Sequence, residues 1–101
     1  MVLNEAAKTV LECTPFVCLV TVGEDGAAHP IVTGKAQVVG DTVVFGIYKM
    51  ETTQRNLAAN KLAWVVAATK EGGPKGYRLS GTAEVQEKQL VFTPASVEAL
   101  I

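Results

Sequence analysis

The sequence predicts a mainly β domain with short helices: about six antiparallel strands curled into a small barrel, with helices at its openings. Three observations carry this. Short Val-rich runs, some alternating and some continuously apolar, are separated by turn residues at Gly23-Glu24-Asp25-Gly26, Gly40-Asp41 and Glu87-Lys88. Helical spacing shows convincingly only near the N-terminus and once in mid-chain. The connections are mostly tight turns, too short for crossover helices, which sets the chain apart from doubly wound parallel sheets.

With 101 residues the chain forms one domain, residues 1–101. Hydrophobic residues make up 49% of it, more than so small a core absorbs, so apolar surface is left for a twin subunit, a cofactor or both. The net charge of −1 and the scattered Lys and Arg argue against nucleic acid as a partner. No apolar run reaches membrane-spanning length and no leader pattern opens the chain, so the cytoplasm is the expected location.

Leu3, Ala7, Val10 and Leu11 share one helical face, predicting an amphipathic helix from about Asn4 to Cys13 with Asn4 as its cap; Pro15 starts extended chain. Phe16 to Val22 is apolar enough for a strand buried on both faces. A hairpin at Asp25-Gly26 leads into an alternating strand, Ala28 to Val39, with Pro30 marking an edge or bulge. Val32, Gly34, Ala36 and Val38 lie on one face of this strand. Ile31, Thr33, Lys35 and Gln37 lie on the other, which is either solvated or lines a site. Thr42 to Tyr48 follows, then a helix from about Thr52 to Ala59 that turns Leu57 and Ala58 inward and is closed by a left-handed Asn60. Leu62 to Thr69 reads as a central strand and residues 71–76 as a loop. Tyr77 to Gln86 alternates cleanly, and a last strand, Gln89 to Thr93, ends at Pro94.

The residues with chemistry to offer lie where strand passes into helix, from Phe45 to Leu57. A helix's first-turn N–H groups, the hydroxyls of Thr52 and Thr53 and the cations Lys49 and Arg55 together suit a phosphate; equally, threonine is an ordinary N-cap of a helix that binds nothing. Cys13 and Cys18, five apart, match neither a redox pair nor a zinc spacing and read as buried thiols. His29 is the one histidine, which excludes multi-histidine metal sites and His-based triads within a chain; beside a turn it reads as a surface residue. Trp64 reads as a core or interface residue and Arg78 as a solvated one. No catalytic residue and no metal site is assigned.

The segments Phe16 to Gly26, His29-Pro30-Ile31-Val32-Thr33, Val43 to Tyr48, Thr52-Thr53-x-x-Asn56-Leu57 and Leu79 to Ala83, in this order, resemble the FMN-binding split β-barrel proteins related to pyridoxamine 5′-phosphate oxidase, in size most similar to the small bacterial FMN-binding proteins. The resemblance implies a six-stranded antiparallel split barrel and a homodimer with one FMN per subunit near the interface. It places the phosphate on Thr52 and Thr53, with Thr33 reaching it between Val32 and Gly34. Gly46, Ile47 and Tyr48 would run along the isoalloxazine ring, with a backbone N–H bonding the flavin. Relatives often have lysine where this chain has Thr52, so Lys35, Lys49 or Arg55 must supply the cation. The segment that often separates the last two strands as a helix is shortened here to a few residues. Ile101 and its apolar neighbours either pack near the partner's flavin or simply cover the interface. The implied function is redox or electron transfer with a protein partner. The alternatives are a flavin-dependent oxidase or reductase, and a barrel without cofactor that serves as a binding module.

Overall fold

A computed structural model describes residues 3–47, 50–70 and 73–100. Helix α1, Glu5–Cys13, begins as the sequence predicts: the Asn4 side chain accepts a hydrogen bond from Ala7 N at 2.8 Å, and Ala7, Val10 and Leu11 are buried. Seven strands follow, with one more helix among them: β1 Val17–Val22, β2 Ala28–Thr33, β3 Gln37–Val39, β4 Thr42–Gly46, α2 Glu51–Ala59, β5 Leu62–Thr69, β6 Lys75–Gln86 and β7 Gln89–Ala99. All pairings are antiparallel, in the order β2-β1-β5-β6-β7-β4-β3.

This order makes the sheet curl. β2 and β3 lie at opposite edges, yet only residues 34–36 connect them. Laid flat, six inter-strand gaps would hold the edges about 29 Å apart, whereas the link from Thr33 to Gln37 reaches roughly 14 Å at full stretch. The sheet therefore rolls around its apolar face until its edges approach. No ladder joins β2 to β3 among the described residues, so the barrel stays unclosed. The predicted six-stranded barrel is corrected on this point. The expected strand Ala28 to Val39 is two strands, because its halves belong to opposite edges.

Phe45, Phe92, Leu19, Leu79 and Leu90 fill the interior, and α1 packs against β3, β5 and β6. β7 does not end at Pro94. It continues to Ala99, with a register shift that sets Gly81 opposite Pro94 and Ser80 opposite Ser96, so Ala95 is the extra residue of a bulge that absorbs the proline. A Cβ on Gly81 would stand 2.1 Å from the Thr93 carbonyl oxygen, so only glycine allows the two backbones to approach so closely. The step from β6 to β7 is a tight turn, with Gln86 paired to Gln89 and Glu87 at φ 57°.

Three local expectations are revised. β1 buries only alternate residues, and Phe16 is exposed, because one face of the sheet is open. Asn60 is extended rather than left-handed; its side chain accepts from Leu62 N at 3.0 Å and its N–H donates to Asn56 O. Cys13 is exposed and Cys18 half-buried, so neither thiol is sequestered in the core.

Candidate functional site

Helix α2 lies over β1 and β6, and its inward residues are Thr53, Asn56 and Leu57; Ala58, expected inward, is exposed. Asn56 fixes the helix to the sheet, its Nδ2 donating to Thr21 Oγ1 at 3.0 Å within the protein. The helix start differs from expectation. The cap position is Met50, in the left-handed region at φ 57° and ψ 39°, and its side chain makes no capping bond. Thr52 and Thr53 stand one step further in, as second and third residues of the helix. The first intrahelical bond runs from Gln54 N to Met50 O, so the N–H groups of residues 51–53 have no helical acceptor.

Thr53 is wholly buried, and its Oγ1 has no hydrogen-bond partner among the described residues. An unpartnered buried hydroxyl is costly. Threonine at this helix position commonly turns its oxygen back to a carbonyl or cap residue; here Thr53 is one of the residues around a cleft shared with Met50, Glu51, Thr52, His29 and Ile31. A second cleft adjoins it, lined in part by His29, Thr52, Arg55 and Asn56 and by Glu24 and Asp25 of the β1–β2 turn. The first turn of α2 thus offers backbone donors with no helical acceptor, a buried hydroxyl and a positive dipole end, a set that suits an oxyanion.

The remaining predicted residues are dispersed. Thr33 is buried, but its Oγ1 lies 3.0 Å from the carbonyl oxygens of both Val17 and Gly34, so its one proton is committed to backbone. Val32 is 72% exposed on the outer face of β2. Gly34 is exposed. Lys35, also exposed, lines a separate cleft with Glu12, Ala36, Gln37 and Val38. Arg55 is exposed and borders the adjoining cleft rather than the one at Thr53. Gly46 pairs with Gln89 and is open to solvent, with nothing within 4 Å of where a Cβ would be. Ile47 N donates to Lys88 O at 3.0 Å, which leaves that N–H unavailable to a flavin. Tyr48, Lys49 and Ile101 lie outside the described residues.

His29 and Ile31 are the site residues that the sequence reading missed. Both point to the same side of β2 as Thr33, and the alternation His29, Ile31, Thr33 already placed them together. The missing information was that α2 lies across that end of the strand. His29 is therefore a lining residue of both clefts rather than a plain surface residue.

The outer sheet face is divided by chemistry. Cross-strand rows run Val32, Cys18, Val66 and then Arg78, Glu98; the next runs Pro30, Val20, Trp64 and then Ser80, Ser96. The β2-β1-β5 side is apolar and the β6-β7 side polar. Arg78, exposed as expected, is also ion-paired with Glu98 on that polar side.

The family model described as pyridoxamine 5′-phosphate oxidase matches residues 3–100. No curated protein matches the chain. Among solved structures, HupZ of Group A Streptococcus superposes with a TM-score of 0.85 at 15% identity, covering 97% of this chain and 94% of that one. An FMN-binding protein from Syntrophomonas wolfei subsp. wolfei gives 0.79 at 16% identity, with coverage of 96% and 85%. The heme storage protein HutZ of Vibrio cholerae gives 0.72 at 12% identity, with coverage of 98% and 95%. Identities this low speak for the fold and leave the ligand to the residues.

Proposed function

Because the chain belongs to the pyridoxamine 5′-phosphate oxidase family, we propose that it is a small FMN-binding flavoprotein of redox or electron-transfer function, acting as a homodimer. The observation that carries the reading is the wholly buried Thr53 hydroxyl, without a partner among the described residues, beside the N–H groups of α2 that have no helical acceptor. A phosphate ester supplies the acceptor that Thr53 lacks and the negative charge that the helix end favours. Thr52 and Thr53 hold the phosphate. Gly46, open to solvent at the end of β4 and five residues before the helix, allows a flat ring to approach the backbone. Bound FMN supplies the hydride and electron chemistry, while the chain provides binding and electrostatics.

A carrier suits the residues better than an enzyme for an anionic substrate. Among the described cations, Arg78 is paired with Glu98, Lys75 borders a cleft beside α1, and Lys35 lines a third cleft, so none of these shares the Thr53 cleft. The apolar β2-β1-β5 face supports the twin subunit: Val32 and Leu62 are 72% and 48% exposed, and a polar side flanks them as an interface rim does.

The test is the purified full chain. We expect a yellow protein that sediments at twice the chain mass and releases FMN on denaturation. A protein that stays colourless with FMN in excess overturns the flavin reading, and one that takes up haem with a haem absorption band in its place redirects it. Rapid NAD(P)H oxidation by the holoprotein would mark an enzyme instead of a carrier.

A further inference from the structure

Bringing an anion to the first turn of α2 meets one adverse charge, Glu51, whose residue lines the same cleft as Thr53. The described α2 residues lining this cleft, Glu51, Thr52 and Thr53, include no cation, so a compensating charge must come from another element. Among the described residues lining the Thr53 cleft, His29 is the one that can carry positive charge. It projects from β2 on the side that α2 covers, opposite Thr21, the residue to which Asn56 ties the helix. The other charged groups around it are Arg55 of α2 and Glu24 and Asp25 of the β1–β2 turn, all lining the adjoining cleft.

We propose that His29 is the cationic partner of the anion held by Thr53 and the first turn of α2, so that anion binding at this site is switched by His29 protonation. The inference rests on the reading of that turn as an anion site. Its chemistry is direct. A protonated imidazole donates a charge-assisted hydrogen bond and offsets Glu51, whereas the neutral ring leaves only backbone and hydroxyl donors. The ligand class is a dianionic oxyanion or phosphate ester, bound more tightly in mild acid.

Inorganic sulfate is the cleanest probe because, unlike phosphate, it stays a dianion while histidine titrates. Sulfate is titrated into the full chain, with binding read from the backbone amide NMR shifts of residues 51–54 at about pH 5.5 and about pH 8, either side of the histidine range. The expected wild-type affinity falls about tenfold with the rise in pH, the equivalent of about 1.4 kcal/mol. His29→Gln should bind weakly and equally at both pH values, and His29→Lys should bind well at both. Arg55→Gln should keep the wild-type pH dependence. A wild-type affinity that does not change with pH overturns the inference, as does a pH dependence that survives in His29→Gln or an absence of shifts at 51–54. FMN titration separates this from the flavoprotein reading. FMN binding without any His29 effect on sulfate sinks only the histidine's role, while a His29-dependent sulfate site on a chain that takes no FMN sinks only the flavin.

Discussion

Helices α1 and α2 are both nine residues long and begin with glutamate, yet their first turns are finished in opposite ways. In α1 the Asn4 side chain accepts from Ala7 N and closes the turn. In α2 the capping residue is a left-handed Met50 with no side-chain bond, and the third residue buries a hydroxyl that bonds to nothing described. Left-handed backbone at a non-glycine residue and an orphaned polar atom both cost free energy. A helix serving only as a plug has no use for either, and α1 has neither. The contrast separates a turn completed by the chain from one whose buried Thr53 hydroxyl has no partner among the described residues.

Thr53→Val breaks the contrast most sharply, because its two effects have opposite sign. The substitution removes a buried oxygen that makes no bond in the free protein, so the apoprotein should gain about 1 kcal/mol in a urea titration. FMN affinity should fall by about 1.5 to 3 kcal/mol, the range for a lost hydrogen bond to a charged group. Apoprotein stability that drops instead would show that Thr53 already has a partner, and the two helix starts would cease to differ.

Asn4→Ala is the matched change at the other helix. It deletes the 2.8 Å bond to Ala7 N and should cost about 1 kcal/mol of stability. FMN affinity should not move, since α1 packs on β3, β5 and β6 while α2 lies over β1 and β6. A parallel loss of affinity would mean that α1 also serves the site.

The two helix starts also differ in how far the sequence reveals them. Asn4 before an amphipathic run is a local signal, and the structure keeps it to the residue. Leu62–Thr69 was also legible, since its shortness, its valines and the flanking turn residues favour a strand over the rival buried helix. At α2 the threonines looked like caps, but the chain enters through Met50 in a conformation that no side chain advertises. The break at residues 34–36 was hidden because polar and apolar residues keep alternating through it; the break comes from two sheet edges meeting around the barrel. The passage of β7 through Pro94 depends on Gly81, thirteen positions earlier in the chain and opposite it only once the hairpin has formed. His29 was hidden in the same way. Strand parity placed it beside Ile31 and Thr33, and only the packing of α2 on β1 makes that side of β2 part of a cleft.

The smallest effect is expected just past the far end of α2, where the chain supplies its own polar partners. Lys61 pairs with Glu84 of β6, and that hydrogen bond, helped by the charge attraction and a weaker bond from Gln86, lowers the Glu84 pKa from its ordinary value. A carboxyl with a lowered folded-state pKa contributes stability that is present above its unfolded pKa and is lost as pH falls through the folded one. Lys61→Met should therefore move the Glu84 titration, followed by side-chain carboxyl NMR, back toward the usual glutamate range and flatten the acid limb of the stability curve slightly. Lys61 and Glu84 are both exposed, so water and salt screen the pair and stability at neutral pH should barely change. FMN affinity should also hold, because Lys61 and Glu84 border a cleft with Gln54, Leu57 and Ala58 that shares no residue with the one at Thr53. A variant that lost FMN would show that this end of α2 sets the position of its first turn, and the open turn would then depend on the closed one.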